Sequence, residues 1–166
     1  AQVGAEVISL LSQSEHSINN LSGANLIEAR ANAESAFGAN SIDALVFVGG
    51  DGMAHLGTNL CAGKNIPMAL IPAGTGNDAA AMLGMPLADT AQSVRLVLEG
   101  LVSPKRIDAI KVSHGGKVTW ALGSASAGFD ALAAARANAI SWPKGPMRYY
   151  VAMLLELAMF KPIKYQ

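Results

Sequence analysis

Two glycine-rich turns, each with an acidic residue and each preceded by a run of apolar residues, carry the chemistry that can be read in this chain. The first is Val46-Phe47-Val48-Gly49-Gly50-Asp51-Gly52. The second is Leu70-Ile71-Pro72-Ala73-Gly74-Thr75-Gly76-Asn77-Asp78. Glycine lets backbone N–H groups approach phosphate oxygens closely, and a helix that begins there adds positive potential. Asp51 and Asp78 run against that preference, because a carboxylate beside a phosphate cradle repels the anion unless it holds a cation or accepts a proton. Magnesium-assisted phosphoryl transfer reconciles the two features.

Competing motifs fit less well. No Walker A lysine pattern occurs in the chain. Gly74-Thr75-Gly76-Asn77-Asp78-Ala79 matches the dinucleotide fingerprint, but that motif needs an acid closing a strand about twenty positions later. Glu99 is the acid at that distance, and it falls inside an amphipathic helical pattern. One glycine turn alone would be plain punctuation; two of them, each after a buried-looking strand, point to a ligand. His16, His55 and His114 are too scattered for a metal cluster, although His55 directly follows the first turn. Ser126 lacks the glycine two residues earlier that a nucleophile elbow requires, so it reads as structural.

Elements that would position the two turns follow from periodicity. Ile42 to Val48 and Met68 to Ile71 are branched apolar runs of the kind buried on both faces of a parallel sheet. Residues 54–62, Asp78 to Leu83 and Thr90 to Leu101 read as helices. Ser22 to Phe37 is a further helix, capped by Ser22 or Asn25 and stopped by Gly38. Gln2 to Leu10 alternates loosely and predicts a short strand. Strand–helix alternation of this kind means a Rossmann-like parallel sheet with helices on both faces.

Beyond Pro104 the texture changes. Ile107 to Val112 and Val118 to Ser124 predict a hairpin turning at Gly115-Gly116, followed by helices over Ala131 to Ala139 and Met147 to Phe160. In the last helix, Met147, Tyr150, Val151, Leu154, Leu155 and Ala158 form a stripe that reads as core, or as a partly exposed face if the second domain is cut short. The expected domains are residues 1–106, an α/β nucleotide-binding domain, and residues 107–166, the beginning of a β-rich second domain.

The order of these motifs resembles the catalytic domain of the diacylglycerol kinase family, which includes bacterial lipid kinases and the sphingosine and ceramide kinases. The resemblance rests on Gly49-Gly50-Asp51-Gly52, on Ile71 to Asp78 and on Leu83-Gly84-Met85-Pro86. Ile107-Asp108, Gly128-Phe129-Asp130-Ala131, Lys144-Gly145 and Arg148-Tyr149 support it. It implies ATP- and Mg-dependent phosphorylation of a lipid hydroxyl, with diacylglycerol the first candidate. Gly49, Gly50, Asp51 and Gly52 would face the nucleotide phosphates, and Gly74, Thr75, Gly76, Asn77 and Asp78 would complete the pocket. Asp51 would be the base or the Mg partner and indispensable either way. Asp130 would meet the acceptor head group at a domain junction, or else cap the helix that follows it.

Three departures accompany the resemblance. Met53 and Leu56 stand where the family has threonine and glutamate. The family's opening strand, which ends in an asparagine–proline pair, would precede this chain, and its β-rich domain would run past Gln166. A fragment that binds nucleotide weakly and turns over little lipid is therefore expected. Two other readings stay open: a non-catalytic nucleotide-binding module, favoured by Met53 and Leu56, and a related kinase acting on a soluble acceptor such as NAD or a sugar phosphate.

Composition bounds the rest. An apolar fraction of 51% against 14% charged residues excludes a disordered chain. Twelve basic and twelve acidic residues cancel, so no overall field favours nucleic acid. Cys61 alone excludes a disulfide framework and reads as a small buried residue, which makes a reducing cytoplasmic setting the expectation. No apolar run reaches the ~18 residues of a spanning helix. Lys144, Arg148, Lys161 and Lys164 make the end of the chain mildly basic, which reads first as a solvated face and second as a surface for peripheral attachment to an anionic membrane.

Overall fold

The computed structural model describes residues 2–39, 41–143, 145–160 and 162. They fall into two compact units, residues 1–123 and 124–166. The change in sequence texture near 104–108 lies inside the first unit, where the parallel sheet gives way to a hairpin. Lys144, Lys161 and Lys164 lie outside the described residues.

The first unit is built on a β–α–β element. Strand β1 (Leu45–Gly49) runs parallel to β2 (Met68–Pro72), with Leu45 opposite Met68 and Gly49 opposite Pro72. Between them lies a helix over Asp51–Cys61. Numbering in chain order, that helix is α3, after α1 (Gln2–Leu11) and α2 (Leu26–Gly38), and is followed by α4 (Asp78–Met82) and α5 (Thr90–Val102).

Strand alternation sorts the core into two layers. Leu45, Phe47 and Leu70 point to one face, where they meet Ala33 of α2 and Ala54, Leu56 and Leu60 of α3. Val46, Val48 and Ile71 point to the other, against Val7 and Leu11 of α1 and Val94 and Val97 of α5. The sheet thus has helices on both faces, the predicted Rossmann-like arrangement. On its other side β1 borders a groove of about 1180 Å³ whose walls include Val7, Leu11, Ala29 and Ala33. Val46 and Val48 are accordingly only half-buried, whereas Leu70 and Ile71 in β2 are fully enclosed.

Helix caps agree with the sequence where a side chain can reach. Asn25 Oδ1 accepts from the N–H groups of Ile27 and Glu28, both at 3.0 Å, and Glu28 reaches back to the N–H of Ala24 at 2.8 Å. Asp89 caps α5 through the N–H of Gln92 at 2.8 Å. Each cap satisfies donors that the first helical turn leaves free.

Residues 2–11 correct the sequence expectation: they form a helix, not a strand. Val3, Val7, Leu10 and Leu11 recur at helical spacing and pack in the layer shared with α5, while Ile8, which made the stretch look alternating, is exposed.

Strands β3 (Ile110–His114) and β4 (Lys117–Ala121) form the expected antiparallel hairpin. Gly115 and Gly116 turn it with φ of 55° and 75°, the left-handed pair that a two-residue turn requires. The hairpin is tied to α3 by one side chain. Asn59 Nδ2 donates to the carbonyl of Trp120 at 2.8 Å, and Asn59 Oδ1 accepts from the Trp120 N–H at 2.9 Å, as a paired strand would. Asn59→Ala is expected to cost about 1–3 kcal/mol for two lost bonds. Faster hydrogen exchange at Trp120 than at β1 amides would check it, and unchanged exchange there would contradict it.

The second unit contains α6 (Phe129–Ala139) and α7 (Met147–Ala158). Ala133 and Ala137 of α6 and Ala152 of α7 are buried, and small side chains of this kind let two helices approach closely. Arg136 Nε donates to Glu156 Oε1 between the helices. Most of the large apolar stripe of α7 is exposed, with Val151 half-buried. Tyr150 and Leu154 are 56% and 61% exposed, and Ala152 and Glu156 turn toward α6. An alanine-rich partner accepts an alanine and an ion pair at close range, and it leaves no room for the larger stripe.

No helix among the described residues is long and apolar enough to cross a membrane.

Candidate active site

Parallel pairing brings the two glycine turns together, because both leave the carboxyl ends of adjacent strands. Ala73 N–H donates to the Gly49 carbonyl at 3.0 Å, extending the ladder by one bond into the turns. Beyond that point the chains nearly touch. A Cβ on Gly74 would lie 2.4 Å from the Gly50 Cα and 2.8 Å from its nitrogen. Only glycine allows that approach, since backbone atoms cannot rotate aside.

Gly49 ends β1, Gly50 is the N-cap of α3, and Asp51 and Gly52 open its first turn. From there the Asp51 carboxylate reaches across to the second turn. Its Oδ1 accepts from the Ala79 N–H at 2.9 Å, joining the start of α3 to α4. Its Oδ2 lies where a Cβ on Gly76 would be only 2.7 Å away, so position 76 also has to be bare. Gly74, Thr75 and Gly76 are exposed, and Asn77 is buried beneath them. Asp78 is the exposed first residue of α4, and its carboxylate makes no hydrogen bond among the described residues. Seven predicted positions (Gly49, Gly50, Asp51, Gly74, Thr75, Gly76 and Asn77) therefore come together at the carboxyl ends of the two strands, with Gly52 and Asp78 flanking them.

The two unusual residues of the first turn have packing roles. Leu56 is buried in the layer with Leu45 and Leu60, and Met53 packs over Gly49. His55 is exposed on α3, beside Asn59. Farther along the same helix, burial pushes the Cys61 thiol up to about 11. Because the thiolate is the reactive form, Cys61 is expected to resist a thiol reagent at pH 8 until the chain unfolds. Prompt labelling of the native protein would contradict this.

Asp130 lies in the second unit. It does not cap α6, whose N-cap is Gly128 without a side-chain bond. Glycine with a φ of 75° makes that entry, and Asp130 falls two residues later, within the first turn. Hydrogen bonds from the Ser126 and Tyr149 hydroxyls hold its carboxyl below the ordinary aspartate range. Ser126 thus has a partner the sequence did not suggest, and Tyr149 is correspondingly raised by the same contact.

The Ala79 N–H was not legible as part of the site. Its only signal was its place in the first turn of a helix, where N–H groups lack internal partners.

Among the described residues, no group of three or more histidine, cysteine or acidic side chains is arranged to hold a metal. Magnesium seldom needs one, since it binds through one or two carboxylates together with phosphate oxygens and water. Asp51, with one oxygen held by Ala79 and the other unclaimed by a hydrogen bond among the described residues, fits that limited requirement.

Comparison with known proteins agrees with this geometry. A family model described as the diacylglycerol kinase catalytic domain matches residues 1–112. The YegS C-terminal NAD kinase beta sandwich-like domain matches residues 123–166, so the α/β region is followed by a match to a β-rich domain. A diacylglycerol kinase from Mycobacterium tuberculosis (strain H37Rv) is 38% identical over 128 residues, covering 77% of this chain and 41% of the relative. The probable lipid kinase YegS-like of Stenotrophomonas maltophilia (strain K279a) is 29% identical over 131 residues, covering 75% of this chain and 41% of that protein. The chain thus spans about 41% of the length of the curated relatives it matches. No solved structure matches it. With two glycine turns meeting at one strand end and a family match across the whole α/β region, the chain belongs to the diacylglycerol kinase catalytic domain family.

Proposed function

We propose that this chain carries the nucleotide-binding part of an ATP- and Mg-dependent lipid kinase that phosphorylates a lipid hydroxyl, with diacylglycerol the first acceptor to test. The observation that carries the reading is the bond from Ala79 N–H to Asp51, which fastens two glycine turns at the ends of parallel strands. Ligands in open α/β sheets sit at such strand ends.

In this reading Gly49 to Gly52 and the turn from Gly74 to Asp78, closed from beneath by the Asn77 side chain, receive the triphosphate, and the eleven-residue α3 points its N-terminus at it. Asp51 either accepts the acceptor hydroxyl's proton or holds the Mg that travels with the nucleotide. Magnesium, when bound, neutralises phosphate charge. The protein's own contribution is to hold the reacting groups in line and to keep the turns fixed. Asp130 is suited to meet a polar head group as a hydrogen-bond acceptor, because a carboxyl held low is a weak base. Residues 1–106 are read as the nucleotide-binding domain and 107–166 as the beginning of the β-rich one. The lipid is met peripherally, at a membrane surface on the cytoplasmic side.

A second reading, a nucleotide-binding module without turnover, is favoured by Leu56, whose burial fills with hydrocarbon a place where the family has a carboxylate. Transfer of radiolabel from ATP by the full-length protein separates these readings. Labelled lipid from diacylglycerol, sphingosine or ceramide supports the proposal. Labelled NAD or sugar phosphate moves the acceptor to the soluble class. ATP binding without any transfer favours the module.

A further inference from the structure

The Asn77 side chain is wholly engaged with its own loop. Gly74 N–H donates to Asn77 Oδ1 at 2.9 Å, and Asn77 Nδ2 donates to the Gly74 carbonyl at 2.8 Å. The residue is 8% exposed. Its backbone, at φ 62° and ψ 29°, is the one non-glycine left-handed conformation among the described residues.

Asparagine alone meets both demands. It tolerates the left-handed region better than other side chains, and its short carboxamide carries a donor and an acceptor. Aspartate keeps the acceptor and lacks the donor. Glycine keeps the backbone and lacks both. The two bonds close residues 74–77 into a single turn, and that turn sets Gly74 against Gly50 and Gly76 against Asp51. Within it, the N–H groups of Thr75 and Gly76 meet no protein acceptor among the described residues.

Resting on the nucleotide-binding reading above, we propose that Asn77 is a positioning residue that does not touch the nucleotide. Its carboxamide holds Gly74–Gly76 in the form that presents the free N–H groups to a phosphate, so the loop is shaped before the ligand arrives. Preorganisation of this kind acts on affinity.

The test compares Asn77→Gly and Asn77→Asp with the wild type in the full-length protein. It measures the ATP Kd, the KM for ATP, kcat at saturating ATP, and hydrogen exchange at the Gly74 amide. Asn77→Gly is expected to raise Kd and KM about 10- to 100-fold, the equivalent of two lost hydrogen bonds, with kcat nearly unchanged. The Gly74 amide should exchange faster. Asn77→Asp, retaining one bond, should show intermediate exchange at Gly74, and its ATP affinity should fall at least as far as that of Asn77→Gly because the new carboxylate repels the phosphates.

Wild-type ATP affinity in Asn77→Gly, despite faster exchange at Gly74, would overturn the positioning role alone. A fall in kcat with KM unchanged would also overturn it, since that is the signature of a side chain acting on the transferred phosphate. Failure of the wild-type protein itself to bind ATP would overturn the nucleotide reading, and the positioning role with it.

Discussion

Gly74→Ala is expected to weaken nucleotide binding strongly and to destabilise the first unit. The added methyl would sit 2.4 Å from the Gly50 Cα, 2.8 Å from its nitrogen and 3.0 Å from Asn77 Oδ1. Relief of that overlap requires the two strand ends to move apart. Separation would break the Ala79–Asp51 bond and the Asn77 ring together. Forced overpacking of this type costs about 1–3 kcal/mol, and loss of the cradle should weaken ATP binding by roughly 10- to 100-fold if it removes about two hydrogen bonds. Calorimetric titration with ATP and a thermal melt check both effects. Gly100→Ala serves as the control: a Cβ there meets nothing within 4 Å in the last turn of α5. It should stabilise the helix by about 1 kcal/mol or less. A Gly74→Ala protein that melts and binds ATP like the wild type would mean that the turns are not held as described.

Asp51→Asn isolates the charge from the fastening. The amide oxygen still accepts the Ala79 N–H, so the two turns should stay joined, and the change in stability should be about 1 kcal/mol or less. Phosphoryl transfer by the full-length protein is expected to fall by about 100-fold or more, whether the lost carboxylate served as proton acceptor or as cation ligand. A variant that stays folded and transfers phosphate at the wild-type rate would leave Asp51 as a strap and nothing more.

Much of this site was legible because its signals are local. The branched runs at Ile42–Val48 and Met68–Ile71 mark strands buried on both faces, and glycine after each marks a turn where the backbone must be bare. Parallel pairing then has to bring the turns together, whatever the rest of the chain does. The first ten residues misled for a related reason. Val3, Val7, Ile8 and Leu10 satisfy a loose alternation as readily as a helical stripe, and packing beside α5 decides between them. The orientation of α7 was equally undecidable from its own sequence. Its larger stripe looks like the natural interior, but Ala133 and Ala137 on α6 accept only a small partner. The carboxamides of Asn59 and Asn77 were invisible in another sense. Each acts on backbone groups, and a backbone group carries no signature in the residue type that supplies it.

The strap between Asp51 and Ala79 spans 28 positions of continuous chain. Joining two turns within so short a stretch costs little loop-closure entropy. Such low contact order favours rapid folding. During synthesis the β–α–β element and its strap can therefore condense while later residues are still being added, so that later elements are built around turns already joined.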